Sequence, residues 1–396
     1  MRCSGRWTAV AVGVALATAA CGGGDGGSGG GGGSGGPITL GMLAPLTGAT
    51  AQTATIAKNS AELAVGEINA AGGVNGRNLE IKTYDTQLKP EVATQQAQRA
   101  ITQDRVTAIV GPYSTSEALA VAAVTERSKV VNVNYSAATP TITAGKKFVF
   151  RTSPLTDDLA RGLVDVAQAL GAKNAAFLYD SGGFGLGAKQ PVEDGAKEKG
   201  LALTASIQYT VSATDVSAEV TKAAQGNPDA VIIAGSAGAD QGLVAKAMVE
   251  QGLKVPYIGL SPIVTPDAVK IAGPAYTALP GVYTLQCADV TKPEYTKLLA
   301  AYNAKYEKVE NMSEQPIQAY DAVYMIADAL KKTSGQGGEQ LAQALEQLPA
   351  RTGASGATGS QLQFTAEKHD AHTGQYVVPY KLQGGKPVQD TSLELS

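Results

Sequence analysis

The chain has 396 residues, of which 17% are charged, and its formal net charge is −3 at pH 7 with acidic and basic side chains interspersed. This balance predicts no basic surface that would attract phosphate groups, so it excludes nucleic acid as the main partner. Beyond the first 36 residues, roughly 360 remain, which is more than one hydrophobic core usually fills and therefore predicts two domains.

The first element in chain order is an export signal. Arg2 and Arg6 precede a mostly apolar run at residues 8–20, and Cys21 follows directly. As a helix this run would span roughly 20 Å, which is short of the ~30 Å hydrocarbon layer of a membrane. We therefore predict a signal peptide over residues 1–21 with a lipoprotein-type end, lipidation of Cys21, and an extracytoplasmic protein anchored to the cell membrane. A nucleotide cofactor is disfavoured in that location, and we predict none.

A flexible tether follows the signal, because residues 22–36 contain only Gly, Ser and one Asp. From residue 37 onward, short apolar runs alternate with helical stretches, which predicts parallel sheets with crossover helices. Predicted strands cover residues 38–43, 79–85, 106–111, 130–134, 174–180, 203–209, 229–235 and 255–260, and predicted helices cover residues 51–71, 90–104, 114–127, 156–170, 187–199, 214–225 and 239–251. Two such series in succession predict an α/β protein with two Rossmann-like lobes joined by a hinge.

The end of the chain is expected to pack back on both lobes. Helices are predicted over residues 293–309, 316–332 and 339–348, with strands around 361–364 and 374–382. We predict that the N-terminal lobe comprises residues 37–155 plus about 286–365, and the C-terminal lobe residues 156–285 plus about 366–396.

Ligands of open α/β sheets bind beyond the carboxyl ends of the strands, so the loops at those ends are the candidate site. Hydroxyl groups and free amides at helix starts suit a carboxylate, although the same residues also serve as ordinary helix caps. The candidates from these loops are Tyr113, Ser114, Thr115, Ala137, Ala138, Thr139, Ser236 and Ser261.

Residue types needed for catalysis are scarce. The run GGFGLG at residues 182–187 lacks the spacing of a nucleotide-binding loop and instead predicts a sharp turn between strand and helix, with Phe184 facing the cleft. His369 and His372 are the only histidines and lie in a turn-like segment, so we expect them to be exposed and predict no metal site or catalytic residues. Cys287 is expected to be a buried thiol.

Several segments resemble the extracytoplasmic leucine/isoleucine/valine-binding protein family, the type I solute receptors of ABC importers. They are APLTG (44–48), AELAVGEINAAGGVNGRNLEI (61–81), the GPYSTS loop (111–116), SAATP (136–140) and FRTSP (150–154). The resemblance extends from residue 38 to about residue 382. It implies a type I periplasmic binding protein fold in a monomeric, non-enzymatic receptor that delivers a small molecule to an ABC permease.

The resemblance also implies roles for individual residues. The family holds the α-carboxylate of an amino acid with a hydroxyl matching Thr115, beside Ser114, and with an amide and a threonine matching Ala137 and Thr139. Phe184 and Tyr320 match aromatic residues of the family's site, whereas Thr53 stands where the family has another aromatic residue.

Amino-acid binders of the family place a glutamate for the ligand's ammonium group at or near the position of Ser261. Either Asp321 or Asp180 replaces that glutamate here, or the ligand has no ammonium group, since a buried ammonium without a counter-charge costs several kcal/mol. A branched-chain or other apolar amino acid is the first expectation, and an aromatic acid, a keto acid or an amide is the alternative. A ligand-sensing signalling ectodomain and a secreted enzyme on a two-lobed scaffold are the rival classes.

Overall fold

Residues 35–48, 50–235 and 237–395 are described by the structure, which is a computed structural model. The predicted signal peptide and Cys21 lie outside the described residues, as does most of the predicted tether. Within the described ranges, no helix is both long enough and apolar enough to cross a bilayer.

The first lobe is built on a parallel sheet with the strand order β2-β1-β3-β4-β5. Its elements are β1 (Ile38–Ala44), α1 (Ala51–Ala70), β2 (Leu79–Asp85), α2 (Pro90–Thr102), β3 (Ala108–Val110), α3 (Thr115–Ser128), β4 (Val131–Asn134) and β5 (Val149–Arg151). A short 3-10 turn, Pro140–Ile142, lies between β4 and β5. Leu40, Met42 and Val133 are fully buried in the core beneath this sheet.

The second lobe is built on a sheet with the order β14-β13-β10-β9-β8-β6-β7. Its consecutive elements are α4 (Thr156–Ala169), β6 (Asn174–Asp180), α5 (Gly183–Lys199), β7 (Ala202–Tyr209), α6 (Ser217–Ala224), β8 (Ala230–Ala234), α7 (Gly238–Glu250), β9 (Tyr257–Gly259), α8 (Pro266–Ala272), α9 (Ala275–Ala278) and β10 (Val282–Gln286). Strands β6 to β10 pair in parallel with one another. Phe177, Ile232 and Ile258 are buried in the core of this lobe.

The last part of the chain contributes to both lobes. It contains α10 (Pro293–Lys305), α11 (Glu314–Lys332), α12 (Gly338–Glu346), β11 (Gln361–Leu362), β12 (His372–Thr373), β13 (Val378–Gln383) and β14 (Lys386–Gln389). Val323 and Ile326 of α11 share the first-lobe core with β1. Strands β13 and β14 instead add antiparallel edges to the second sheet. The exact boundaries, residues 37–155 with about 286–365 and residues 156–285 with about 366–396, stay a prediction.

The predicted fold class is confirmed, because the described chain is an α/β structure with largely parallel sheets in two lobes. Some elements were missed: β5, β10, β14, α8 and α9 are short, and the tertiary structure rather than a local pattern selects them. Helix α5 begins at Gly183 and not at residue 187, so the predicted glycine turn forms the first turn of the helix.

The expectation that both histidines are exposed is wrong. His369 and His372 are only 6% and 3% exposed. The His369 ring stacks on Phe150 with centroids 4.0 Å apart, and Nε2 of His372 lies 2.8 Å from the carbonyl oxygen of Thr152. Packing of their segment against β5 and the residue that follows it buries them, which a turn-like local sequence cannot reveal. Cys287 is buried and free, as predicted.

Candidate functional site

A cavity of about 420 Å³ lies between the two lobes. It is lined by Thr115, Thr139 and Pro140 of the first lobe and by Thr156, Asp157, Gly183, Phe184 and Gly187 of the second. Three residues selected from the sequence, Thr115, Thr139 and Phe184, therefore come together on one cavity. They reach it from the starts of α3, of the 3-10 turn and of α5.

The GPYSTS loop carries Thr115 to the cavity. Gly111 has φ +113°, and a Cβ there would collide with the carbonyl oxygen of Leu43, so the turn after β3 requires glycine. Ser114 caps α3: its hydroxyl donates to Glu117 Oε2 at 2.7 Å, and the Glu117 N–H donates back to Ser114 Oγ at 3.3 Å. Ser114 thus builds the helix start, while Thr115 is the hydroxyl that lines the cavity.

Asn134 joins this loop to the SAAT loop. From the end of β4, its Oδ1 accepts the N–H groups of Ser136 at 3.0 Å and Ala137 at 2.8 Å, and its Nδ2 donates to the carbonyl oxygen of Pro112 at 3.0 Å. Ala137 is 4% exposed. The N–H of Ala137 already donates to Asn134 within the loop. This contradicts the expectation that it is free to hold a carboxylate.

Arg151 supports Thr139 from beneath. Its guanidinium is fully buried, pairs with Asp370, and donates from Nη1 to the carbonyl oxygen of Thr139 at 2.8 Å. Burial lowers the pKa of Arg151, and the charge of Asp370 opposes this effect. The sequence contained the segment FRTSP but no local signal that its arginine would hold the loop.

Asp180 organises the second-lobe wall. Its Oδ1 accepts the N–H groups of Gly182 and Gly185, both at 3.0 Å, and the carboxylate is fully buried. A Cβ on Gly185 would collide with Asp180, so the tight turn needs glycine at this place. Phe184 lies half-buried on the cavity between these two glycines. Asp180 is therefore not placed to replace the glutamate that pairs with an ammonium group, because its buried carboxylate binds the turn.

Asp157 was not selected from the sequence, yet it is the carboxylate among the cavity-lining residues. It lies in the first turn of α4, next to Thr156, and is half-buried. Burial raises the pKa of the Asp157 carboxyl, and the neighbouring charge of Asp158 raises it further. The sequence TDD begins one residue after FRTSP, and nothing local in it shows that Asp157 lines a cavity.

Tyr320 and Asp321, which were expected at the ligand site, do not line the cavity. The Tyr320 hydroxyl donates to Glu67 Oε2 at 2.5 Å, and Tyr320 belongs to the first-lobe core. Asp321 is 1% exposed, and its carboxylate accepts the N–H groups of Ala354 and Ser355, both at 2.8 Å. Both lie in the second turn of α11, which buries them against the first lobe and a following loop.

The remaining candidates lie outside the cavity lining. Thr53 is half-buried in the first turn of α1, and Ser261 is exposed at the start of the 3-10 turn Ser261–Val264. Tyr113 packs edge-on against Tyr135 with ring centroids 6.4 Å apart. Ala138 is half-buried, and Ser236 lies outside the described residues.

The chemistry of the cavity follows from its lining. Three threonine residues offer hydroxyl groups, Asp157 offers a carboxylate, Phe184 and Pro140 offer apolar surface, and no lining residue is basic. Among the residues that the structure describes, no group of three or more His, Cys, Asp or Glu is placed to hold a metal ion. The arrangement is that of a site that binds a small molecule with hydrogen bonds and apolar contacts.

The sequence of the cavity-bearing region matches a family model described as periplasmic binding protein over residues 37–386. The chain belongs to the periplasmic binding protein family. A curated relative, the leucine-, isoleucine-, valine-, threonine- and alanine-binding protein of Pseudomonas aeruginosa, is 28% identical over 312 residues, which is 78% of this chain and 82% of the relative. This agrees with the resemblance to the leucine/isoleucine/valine-binding proteins noted from the motifs.

Solved structures of periplasmic binding proteins share the fold. An ABC transporter substrate-binding protein from Desulfitobacterium hafniense in complex with Leu has a TM-score of 0.75 at 23% identity, covering 89% of this chain and 100% of that one. A solute-binding protein of an ABC transporter from R. palustris in complex with 4-hydroxybenzoate has a TM-score of 0.73 at 23% identity, covering 89% and 95%. The type I periplasmic binding protein fold is thereby established for this chain.

Proposed function

We propose that this protein is the extracytoplasmic substrate-binding protein of an ABC transporter and that it binds a small carboxylate-bearing solute between its lobes. The observation that carries the proposal is the convergence of Thr115 and Thr139 with Phe184 on one cavity. Hydroxyl groups at helix starts can donate to a carboxylate where the helix dipole favours negative charge. An aromatic ring on the other side can cover the apolar part of the same ligand.

The solute we propose first is a branched-chain or other apolar amino acid. The curated relative from Pseudomonas aeruginosa, named for binding leucine, isoleucine, valine, threonine and alanine, supports this choice. A relative in Brucella abortus, named a Leu/Ile/Val-binding protein homolog and 27% identical over 343 residues, supports it as well. An aromatic acid, a keto acid or an amide is the alternative. Binding would be a hinge closure in which both lobes contact the ligand.

We also propose the setting of this receptor. The signal at residues 1–21, lipidation at Cys21 and the tether at residues 22–36 would hold a monomer beside the membrane, where it would meet its permease. The lobes would be residues 37–155 with about 286–365, and residues 156–285 with about 366–396. We propose no catalytic role, because the cavity lining holds neither a histidine nor a cysteine.

A ligand screen on the purified full chain tests the proposal. Apolar amino acids, their keto acids, aromatic acids and amides would each be added while thermal unfolding is followed. A true ligand at about a thousand times its Kd stabilises the native state by about 4 kcal/mol, which should shift Tm by several degrees. A screen in which none of these compounds shifts Tm would contradict the proposal.

Paired hydroxyl variants locate the binding site. Thr115→Val and Thr139→Val keep the size of each side chain but remove its hydroxyl, so each should weaken a carboxylate ligand by about 1 kcal/mol, or about fivefold in Kd. Thr102→Val is the matched control, since the exposed Thr102 hydroxyl donates to the carbonyl oxygen of Gln98 on α2. If the wild type and all three variants bind with equal affinity, the ligand does not bind at this cavity.

A further inference from the structure

We propose that Asp157 pairs with an ammonium group of the ligand, so that the cavity selects a zwitterionic α-amino acid over an anionic acid of the same shape. The inference rests on the proposed function and specifies its ligand class. Under this proposal the ammonium group pairs with a residue at the start of α4 and not with Ser261, Asp180 or Asp321.

The position of Asp157 supplies the geometric argument. Its side chain lines the cavity from the second-lobe side, whereas Thr115 and Thr139 line it from the first-lobe side. No hydrogen bond or ion pair to the Asp157 carboxylate is present within the described part of the chain. A zwitterion carries both a carboxylate for the hydroxyl groups and an ammonium group for Asp157, so it could interact with both lobes.

The charge of the cavity points in the same direction. None of the lining residues is basic, so a monoanionic ligand would enter without a cation against it and next to a carboxylate. Burial and the charge of Asp158 raise the pKa of Asp157, whereas the charges of Arg161 and Arg151 lower it. An ammonium group would relieve this unfavourable charge, whereas a second anion would add to it.

Three other acidic groups, Asp158, Asp180 and Asp321, are already engaged. Asp158 Oδ2 accepts the hydroxyl of Tyr376 at 2.8 Å. Asp180 holds the glycine turn of α5, and Asp321 holds the backbone of residues 354 and 355. Asp157 alone among these four carboxylates lines the cavity, and it is therefore the one that a ligand cation can reach.

Isothermal titration of the full chain tests the inference with three matched pairs, leucine, valine and phenylalanine, each against its keto acid, and with 4-hydroxybenzoate as an aromatic acid. We expect the wild type to prefer the amino acid in at least one pair. Asp157→Asn keeps the shape but removes the charge, and it should weaken that amino acid by about tenfold while leaving the keto acid unchanged or tighter. Asp157→Glu should retain the preference for the amino acid.

Asp267→Asn is the matched control, because Asp267 is an exposed carboxylate in the first turn of α8 and lies outside the cavity lining. It should bind like the wild type. Equal amino-acid affinity in Asp157→Asn and wild type would overturn the inference but leave the receptor function standing. Preference of the wild type for the keto acids or for 4-hydroxybenzoate would also overturn the inference and leave the receptor function standing. Absence of binding by every compound of this titration would overturn the inference, and absence of any Tm shift in the wider thermal screen would overturn the proposed function as well.

Discussion

The first-lobe wall of the cavity is held by two buried side chains that join separate segments of the chain, whereas the second-lobe wall is held by one buried carboxylate that closes a turn of its own loop. Arg151 and Asn134 bind the carbonyl and amide groups of the SAAT loop and tie it to the GPYSTS loop. On the other side, Asp180 gathers two amides of a glycine-rich helix start, and Phe184 projects from it. One wall presents fixed hydroxyl groups, and the other presents an aromatic ring on a close turn of the chain.

This difference suggests a division of labour in binding. A polar group of a ligand needs donors that are already in place, since ordering them during binding would reduce affinity. An aromatic ring that covers an apolar group tolerates more variation in position, because dispersion and apolar burial have little directionality. The side-chain network therefore belongs on the first-lobe wall, where Thr115 and Thr139 lie.

Removing the guanidinium from the first-lobe wall should have the largest effect. Arg151→Met keeps much of the apolar stem but leaves Asp370 without its cationic partner, so we expect the free energy of unfolding to fall by about 3 kcal/mol. Chemical denaturation with urea measures it. Arg161→Met is the control, because its ion pair with Glu198 is exposed and should contribute less than about 1 kcal/mol. Equal losses in the two variants would show that Arg151 does not brace the wall.

A smaller loss is expected on the second-lobe wall. Asp180→Ala leaves the amides of Gly182 and Gly185 without their acceptor, which should cost about 2 kcal/mol. Asp194→Ala, which removes a contact to Gln190 on the surface of α5, should change stability by less than about 0.5 kcal/mol. If Asp180→Ala proves as destabilising as Arg151→Met, the contrast between the two walls does not hold.

The smallest effect concerns His372, which contacts Thr152, the residue that follows β5 and Arg151. Burial lowers its pKa to about 3, while an unfolded histidine titrates near 6.5. The unfolded state therefore takes up a proton first as the pH falls, so this group's contribution to stability is complete above about pH 6.5 and declines between about 6.5 and 3.

The variant His372→Gln replaces the ring N–H with an amide N–H donor, and its side chain does not titrate. Relative to His372→Gln, the wild type should lose about 1 kcal/mol of stability between pH 7.5 and 5.5, measured by urea unfolding at each pH. A stability difference between the two proteins that stays constant across this range would show that His372 is protonated as easily in the folded chain as in the unfolded one.

The strand and helix alternation was readable because apolar runs and glycine or proline boundaries are local properties of the chain. It predicted most of the parallel strands, and it placed Thr115, Thr139 and Phe184 on loops that do meet at the cavity. The roles that the family resemblance led us to expect for Tyr320 and Asp321 do not fit their positions, since a helical pattern alone cannot assign a residue to the core or to the cleft. The alternation also missed Asp157, because nothing local distinguishes a carboxylate that caps a helix from one that lines a cavity.

The sequence by itself determined the α/β class, the two lobes and the loops that carry the candidate site. Each depends on the spacing of apolar residues and on the glycine and proline residues that end the strands and helices. Only the tertiary structure decided which side chains reach the cavity and which are used to build it. Arg151 meets Asp370 and His372 meets Thr152 across more than two hundred residues of chain, and Asp180 turns inward to the amides of its own loop. Such partners are set by packing over long sequence separations, and it is this packing that leaves Asp157 facing the cavity.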